Sequence, residues 1–418
     1  MHHHISFILT ATICALVAMG TSIVMNPLII KLAFKKHLTD NPNHRKLQKK
    51  PIPVVGGMSV YLAFVVGLFF ANLFHPTDQL YVVIAGMSVM FFLGLFDDML
   101  DLSYKLKFVV QIGVISLLWV FGYRINTFVG LFGVNHIPMV WSYLLSVFVG
   151  VGLMNALNMV DGVDGLASGL GILTNTICGI YFVTHHDPLF ALLSIVFVGA
   201  LIPFFVCNVF SHKYKMFIGD SGSLIMGTLA YVLTCRIIHT RHMDWNDQYC
   251  VAMMLAIYAL PVFDTLRVMT GRLMHGNSPF KPDRTHLHHI FVDLAYPHIM
   301  ITGILLFIDL FVIGIWYLTS IFMDSINAQF FVVTGTAVLL IPGLYFVLKM
   351  IMMKKPQLFE RFKEHSKRVS SKPISIREKI CDVLDGGVRR RRKIRRTAFP
   401  VSVSQSNCSF MMLQHHCG

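Results

Sequence analysis

Long apolar runs separated by short polar segments dominate the chain. Each run approaches the roughly 20 apolar residues that a helix needs to cross a bilayer. Lipid offers no partners to the open edge of a sheet, so such runs predict transmembrane helices. Eleven of them are present: 5–30, 56–74, 80–96, 107–123, 138–157, 168–184, 189–209, 222–238, 248–265, 298–319 and 329–349. The pattern predicts an all-α, polytopic integral membrane protein with about 11 transmembrane helices.

Composition excludes two other classes of protein. Of the 418 residues, 55% are hydrophobic and 13% are charged, whereas about a quarter of residues are charged in soluble domains. High hydrophobicity also excludes an intrinsically disordered chain. The eight Cys show no CxxC pattern, so we expect them to be mostly reduced or buried in lipid. Strict pairing geometry argues against a disulfide between Cys235 and Cys250.

The basic charge is distributed in a way that predicts the topology. The formal net charge is +14, with 35 Lys and Arg against 21 Asp and Glu. If the N-terminus lies outside, only Arg124, Arg236 and Arg241 fall in outer loops. Cytoplasmic loops carry the excess of Lys and Arg in membrane proteins. We therefore expect the N-terminus outside and the C-terminus in the cytoplasm, and no nucleic-acid partner.

Two regions follow from this topology. Residues 1–350 would form the transmembrane domain, with its active site at the cytoplasmic face. Residues 351–418 would form a basic cytoplasmic tail, expected to be partly disordered. Its run RRRRKIRR at 389–396 could attract anionic membrane lipids, at about 1 kcal/mol for each nearby basic residue, or could merely enforce the topology. The sequence leaves both interpretations open.

Four polar clusters interrupt the apolar pattern, and all fall at the predicted cytoplasmic surface. They are FDDMLD with Asp97, Asp98 and Asp101, NALNMVDGVDGL with Asn155, Asn158, Asp161 and Asp164, MFIGDSGS with Phe217 and Asp220, and PDRTHLHH with Arg284, His286, His288 and His289. Because they are far apart in sequence yet share one membrane face, we expect them to form one composite site.

Each cluster admits more than one chemistry. Asp97 and Asp101 would share a helix face at i,i+4, which suits a cation, a proton or a solvated helix end. Asp220 stands between glycines before an apolar helix, so it could be an N-cap or part of a phosphate site. The histidines lack partners at zinc spacing, so phosphate binding together with Arg284 is the favoured interpretation.

Electrostatics connects these clusters. Carboxylates repel phosphates unless a divalent cation lies between them, and phosphoryl transfer uses such a cation together with cationic clamps. A proton-coupled transporter would instead place acids near the middle of the membrane. The plainest acid there is Asp309, for which a helix–helix hydrogen bond or a protonated carboxyl is favoured. Asp264 and Arg267, near the inner end of the ninth helix, could support the site.

Together and in this order, the four motifs resemble those of the polyprenyl-phosphate N-acetylhexosamine-1-phosphate transferases, over about residues 5–350. This superfamily of glycosyltransferase family 4 type includes undecaprenyl-phosphate GlcNAc-1-phosphate transferases and phospho-MurNAc-pentapeptide translocases. The resemblance implies a multi-pass enzyme of the bacterial inner membrane. It would transfer sugar-1-phosphate from a UDP-N-acetylhexosamine to undecaprenyl phosphate, release UMP and start a cell-envelope glycan such as lipopolysaccharide O-antigen.

The resemblance also implies residue roles and a Mg²⁺ cofactor, for which Mn²⁺ could substitute. Asn158 and Asp220 would hold the metal. Asp97, the proposed base, and Asp98 would lie beside the acceptor phosphate. Asp161 and Asp164 would line the nucleotide pocket. Phe217 would stack on uracil. The clamp on the diphosphate or sugar would be Arg284, His286, His288 and His289. Asn155, Asp101 and Lys46 complete the expected substrate-binding set.

Several alternatives stay open from the sequence. Arg284 ahead of the histidines is similar to the GlcNAc branch, whereas the pentapeptide branch typically carries three consecutive His and a Lys at the position of Asp101. A different class would be a transporter or flippase of a phosphorylated lipid or sugar. Single displacement is favoured over a two-step route through a phospho-Asp. The exact hexosamine and a possible homodimer are undetermined.

Overall fold

The computed structural model describes residues 2–36, 38–40, 51–74, 79–239, 249–278, 284–371 and 375–385. Most described residues are helical. The helices are α1 (His2–Lys35), α2 (Gly56–Phe74), α3 (Gln79–Leu100), α4 (Tyr104–Val120), α5 (Met139–Met159), α6 (Leu166–Thr184), α7 (Pro188–Phe210), α8 (Gly219–His239), α9 (Cys250–Ile257), α10 (Ala259–Met274), α11 (Leu287–Asp293), α12 (His298–Phe322), α13 (Ile326–Val338), α14 (Leu344–Lys354), α15 (Pro356–Ser371) and α16 (Ser375–Leu384). The two short strands β1 (Thr39–Asp40) and β2 (Ile52–Pro53) pair antiparallel.

Each of the eleven apolar runs is helical over most of its described length, which confirms the predicted all-α membrane architecture. Among the described residues, nine helices are long and apolar enough to span a membrane, and α9 with α10 forms a tenth span bent by 75°. The remaining run forms α4, which has 17 residues. At 1.5 Å per residue it reaches about 26 Å, slightly less than the roughly 30 Å hydrocarbon core.

Contacts show that α4 runs along the bundle from the acids to the second half of α8. Near its start, Lys107 contacts Asp97 at the end of α3. Just beyond its other end, the carbonyl of Tyr123 accepts a 2.7 Å hydrogen bond from Tyr231, in the second half of α8. The start of α4 therefore lies with the acids, and its end lies beside α8, past the middle of that helix. The described chain thus has nine candidate spans, or ten with the bent pair, and an eleventh crossing by α4 stays a prediction.

The two termini of the described chain lie at different ends of the bundle. Late in α1, Asn26 accepts a 2.5 Å hydrogen bond from Ser59, near the start of α2 and therefore at the end where the acids lie. The start of α1 consequently points to the other end. At the end with the acids, Asp385, just after α16, contacts Ser211. Which end faces the cytoplasm stays a prediction of the charge pattern.

Helix α8 is the central element of this bundle, and nearly all of it is buried. It packs on α3, α5 and α2. A methyl group at Gly57 or Gly94 would overlap the backbone of Gly222 or Ser221, respectively. These two glycines let α2 and α3 approach the start of α8 backbone to backbone, which brings three helix ends together at one point.

The bend between α9 and α10 explains the isolated acid in the membrane. Asp309 on α12 is fully buried, and its Oδ1 accepts the backbone N–H of Leu260 at 2.9 Å. The N-terminal amides of a helix lack intrahelical partners, so this carboxyl caps α10 where the span breaks. The predicted helix–helix hydrogen bond is confirmed.

Two smaller predictions can also be compared with the fold. The described cysteines are all free, including Cys235 and Cys250, as pairing geometry led us to expect. The first part of the predicted tail forms α15 and α16, and α16 packs on α7. The division at residue 350 stays a prediction. The basic run at 389–396 and the residues that follow lie outside the described residues.

Candidate active site

Asp98 caps the start of α8. Its Oδ1 accepts the backbone N–H of Asp220 at 2.9 Å, and its Oδ2 accepts that of Ser221 at 3.2 Å. These amides belong to the first turn, where a helix has free donors and a partial positive charge. Gly219 has φ +69°, and a Cβ there would lie 2.5 Å from Asp98 Oδ2. Glycine is thus required where the two helix ends meet, and Asp98 holds Asp220 in place.

Asp220 is also bound from α4 and α5. Asn158 donates from Nδ2 to Asp220 Oδ1 at 2.8 Å and to Ser223 Oγ at 2.9 Å. The ammonium of Lys107 lies 3.4 Å from Asp220 Oδ2 and also contacts Asp97. The two residues predicted as metal ligands, Asn158 and Asp220, therefore lie side by side.

Asp97 is buried at the end of α3. Its Oδ1 accepts the N–H of Leu102 at 2.9 Å, and its Oδ2 contacts Lys107. The predicted pairing with Asp101 on one helix face is wrong, because α3 ends at Leu100. Asp101 has φ +51° and an exposed side chain. A left-handed residue closing the helix turns that carboxylate away from Asp97.

Asp161 completes what we call the acidic cluster, Asp97, Asp98, Asp161 and Asp220. It lies in the turn after α5 and accepts the backbone N–H of Gly219. Burial raises its pKa well above the usual value, and the charges of Asp220 and Asp98 raise it further. Among the described residues, Lys107 is the one cation paired with this cluster, through Asp97 and Asp220. Four carboxyl groups beside one ammonium favour binding of a further cation.

The donor set suits a magnesium ion that is only partly held by protein. In the part of the chain that the structure describes, no three His, Cys, Asp or Glu side chains converge as a metal site. Mg²⁺ commonly takes one or two carboxylates together with water and substrate phosphates. Asp220 with Asn158, beside three further carboxyl groups, fits that requirement, and the described residues do not form a closed all-protein site.

Asp164 lies on the other side of the same turn and is already neutralised. Its Oδ2 lies 2.6 Å from Lys215 Nζ and 2.9 Å from His298 Nδ1. Burial raises the pKa of Asp164, but hydrogen bonding from His298 and the charge of Lys215 outweigh burial and leave it below its usual value. Lys215 thereby connects the loop before α8 to the Asp161–Asp164 turn, and His298 connects the start of α12 to the same turn.

A second carboxylate, Asp264 on α10, holds the histidine motif. Its Oδ2 lies 2.9 Å from His286 Nδ1, and both oxygens accept the N–H of Leu287 at 3.2 Å. Arg267 reaches Asp264 Oδ1 at 2.6 Å and donates to the carbonyl of Thr285 at 2.6 Å. Asp264 and Arg267 thus support the site, and Nδ1 of the buried His286 is committed to Asp264 rather than to a substrate.

His288 and His289 have unpartnered nitrogens. Nε2 of the buried His288 and Nδ1 of His289 have no hydrogen bond within the described chain. Burial, with the neighbouring imidazoles, lowers the pKa of His288 to about 3, and burial lowers that of His289 to about 4. A Cβ at Gly162 would overlap the His288 ring. We name His286, His288 and His289 the histidine cluster; it lies directly against the turn that carries Asp161.

The loop before α8 is fixed by the segment before α2. The N–H of Phe217 donates to the carbonyl of Pro53 at 2.8 Å, and the carbonyl of Phe217 accepts the N–H of Gly56 at 2.9 Å. The Phe217 side chain is partly exposed.

Asn155 on α5 lies one turn deeper than Asn158, and its side chain donates to the side chain of Gln111 on α4 at 3.0 Å.

The remaining predicted residues are less engaged. Arg284 is exposed, and its nearest described acid is Asp293, at 3.9 Å. Lys46 lies outside the described residues.

Sequence reasoning missed Lys107, Lys215 and His298 as site residues, because it assigned the two lysines to topology alone. For Lys107, the sequence did contain a signal: Lys107 and Gln111 are spaced i,i+4, which places two polar side chains on one face of the apolar helix α4.

Comparison with known proteins identifies the chain's relatives. The model for glycosyl transferase family 4 matches residues 80–238. The undecaprenyl-phosphate alpha-N-acetylglucosaminyl 1-phosphate transferases of Yersinia pestis and Escherichia coli K12 are each 33% identical, over 270 and 271 residues, covering 64% of this chain and 72% of each relative.

A relative of lower identity has a similar name. The probable undecaprenyl-phosphate N-acetylglucosaminyl 1-phosphate transferase of Bacillus subtilis is 26% identical over 286 residues, covering 68% of this chain and 78% of the relative. The family predicted from the four motifs is therefore confirmed: this multi-pass membrane protein belongs to glycosyl transferase family 4.

Proposed function

We propose that this protein transfers GlcNAc-1-phosphate from UDP-GlcNAc to undecaprenyl phosphate, giving undecaprenyl-diphosphate-GlcNAc and UMP. The observation that carries the proposal is the meeting of the acidic cluster and the histidine cluster at one turn, Asp161–Asp164. The choice of sugar and lipid follows the names of the relatives. They do not favour a peptide-bearing donor, and no described feature favours a transporter.

The reaction is an in-line displacement at phosphorus. An oxygen of the lipid phosphate attacks the β-phosphorus of UDP-GlcNAc, which carries the sugar, and the bond to the bridging oxygen of the α-phosphate breaks. The bonding electrons leave with UMP. A phosphate monoester has its second pKa near 6, so the acceptor is mostly a dianion at neutral pH. A strong general base is therefore not required.

A bound Mg²⁺ would neutralise charge on the diphosphate and make the β-phosphorus more electrophilic. Asn158 and Asp220 are the residues that would hold it. Asp97 and Lys107 would position the acceptor phosphate, with Asp97 able to take a residual proton. Both oxygens of Asp97 already have partners, which favours positioning over nucleophilic attack.

The histidine cluster would bind the donor. The lowered pKa values of His288 and His289 leave both rings uncharged at neutral pH. These two residues would therefore donate hydrogen bonds to phosphate or sugar oxygens rather than act as cations. Arg284 would supply positive charge at the exposed rim, and Phe217 would stack on uracil. Asp164, held by Lys215 and His298, would keep the turn between the two clusters in shape.

The decisive experiment uses purified protein with UDP-GlcNAc labelled with ³²P in the β-phosphate and undecaprenyl phosphate. We expect label in the lipid and release of UMP with Mg²⁺, a loss of both with EDTA, and partial recovery with Mn²⁺. Label that crosses a vesicle membrane without bond cleavage would instead establish a transporter. Replacing the donor with UDP-GalNAc tests the choice of sugar.

A second assay separates one step from two. Without acceptor, a phospho-Asp intermediate would let labelled UMP exchange into UDP-GlcNAc. Single displacement predicts no exchange.

Placement in the bacterial inner membrane rests on the family resemblance, and a site that faces the cytoplasm rests on the distribution of Lys and Arg. Cysteine labelling in right-side-out vesicles tests it, since a Cys introduced at exposed Asp101 should be protected from an impermeant reagent.

A further inference from the structure

The first part of the tail contacts a loop that leads into the site. Asp385, just after α16, accepts a hydrogen bond from Ser211 Oγ at 2.7 Å. It also accepts the backbone N–H groups of His212 at 3.1 Å and Lys213 at 3.2 Å. One carboxylate thus binds three donors in the turn that follows α7.

Two further contacts fix the same turn and α16. Ser211 Oγ accepts the N–H of Tyr214 at 2.7 Å, so the hydroxyl bound by Asp385 also organises the next residues. Cys381, one turn before Asp385, donates from Sγ to the carbonyl of Phe210 at 2.5 Å. The tail is therefore attached both to the end of α7 and to the turn beyond it.

The bound turn is the start of a short loop whose later residues form the site. Lys215 holds Asp164 at 2.6 Å, and the carbonyl of Met216 accepts a 2.7 Å hydrogen bond from Asn208 on α7. Phe217 and Asp220 follow immediately. Only one residue separates the last amide bound by Asp385 from Lys215, so a shift of the turn is transmitted to the donor side of the site.

The charge state of Asp385 suits this role. Burial raises its pKa, but the hydrogen bonds from Ser211, His212 and Lys213 outweigh burial and lower it overall. It is consequently a carboxylate at neutral pH, and hydrogen bonds to a charged acceptor are stronger than neutral ones. Asp385 lies outside the matched family region, residues 80–238.

We propose that Asp385 is a positioning residue for donor binding: the tail clamps the 211–213 turn and thereby sets Lys215 and Phe217 at the nucleotide end of the site. The proposal rests on the proposed function, since it assigns the loop to the UDP-sugar. It predicts an effect on the donor and not on the lipid acceptor, whose phosphate would bind beside Asp97 and Lys107.

The test compares Asp385→Asn with Asp382→Asn in the full-length protein. Asp382 is exposed on α16 and serves as the matched control, while Asn at 385 keeps the size of the side chain and removes its charge. We expect Asp385→Asn to raise the KM for UDP-GlcNAc about tenfold, with kcat and the KM for undecaprenyl phosphate within about twofold. Asp385→Glu should recover part of the loss, and Asp382→Asn should match wild type.

Hydrogen exchange measured by mass spectrometry provides a readout independent of turnover. The peptide containing the His212 and Lys213 amides should exchange faster in Asp385→Asn and unchanged in Asp382→Asn. Unchanged exchange overturns the clamp, and faster exchange with an unchanged donor KM overturns its role in positioning. A wild type that neither binds nor turns over UDP-GlcNAc overturns both proposals, whereas normal wild-type activity with unaltered variant kinetics overturns this one alone.

Discussion

The acidic cluster and the histidine cluster are built on opposite electrostatic principles. In the acidic cluster, Lys107 pairs with Asp97 and Asp220, and no cation of the described chain pairs with Asp98 or Asp161. On the histidine side, each carboxylate already has its cation: Asp164 has Lys215, and Asp264 has Arg267. One half therefore holds uncompensated negative charge, while the other is neutral and hydrogen-bonded.

This difference assigns different work to the two halves. An uncompensated cluster is costly unless a cation arrives, so it is suited to binding a metal together with anionic reactants. A compensated cluster can present neutral imidazole nitrogens in a fixed arrangement without repelling or trapping a phosphate. The comparison predicts that substitutions which remove charge lower turnover in the acidic cluster. In the histidine cluster, substitutions which change shape should have the larger effect.

The largest effect is expected from Asp220→Asn. Loss of this carboxylate removes a proposed metal ligand and leaves Lys107 less compensated, so turnover should fall roughly a thousandfold, as several kcal/mol of transition-state stabilisation are lost. Steady-state kinetics over a Mg²⁺ titration would measure this, with exposed Asp324→Asn as the control. Wild-type turnover at ordinary Mg²⁺ concentration would contradict the assignment of Asp220.

A smaller loss is expected from Asp97→Asn. The amide oxygen can still accept the N–H of Leu102, so the end of α3 should stay folded, but the charge beside Lys107 disappears. Turnover should fall about a hundredfold, while UDP-GlcNAc binding measured by calorimetry survives. Normal turnover by this variant would remove the acidic role.

Gly162→Ala probes shape in the second half. The new methyl group would overlap the His288 ring, and such overpacking costs about 1–3 kcal/mol. We expect a lower melting temperature and a turnover about tenfold below wild type. Gly152→Ala on α5 is the matched control, because a Cβ there meets nothing within 4 Å. Equal behaviour of the two variants would show that His288 does not need its place against the turn.

The smallest effect concerns stability and pH. The pKa of His288 is about 3 in the folded protein and about 6.5 when unfolded. Between these values only the unfolded state binds the proton, so stability falls as pH decreases below about 6.5, by up to about 1.4 kcal/mol per pH unit. Melting curves from pH 7 to 5 should show a shallower slope for His288→Gln, but not for exposed His275→Gln. Identical slopes would mean that His288 is not the group responsible.

The sequence predicted which motifs meet, because counting spans and basic loops places helix ends on one face without any knowledge of packing. It could not predict which charges pair. In the sequence, Lys107 and Lys215 were only two of the many basic residues of the inner loops. The rotation of α4 directs Lys107 at Asp97, and the path of the 211–218 loop directs Lys215 at Asp164. Asp101 was misplaced because i,i+4 reasoning assumes an unbroken helix, and α3 ends one residue earlier.

The near-complete burial of α8 has a consequence for how the protein is made. Among the candidate spans of the described chain, α8 has the lowest mean hydropathy and the least surface left for lipid. Its transfer from the translocation machinery into the bilayer therefore gains little from the hydrocarbon itself. We expect α8 to be retained in the membrane by docking against α2, α3 and α5, all of which have been synthesised before it.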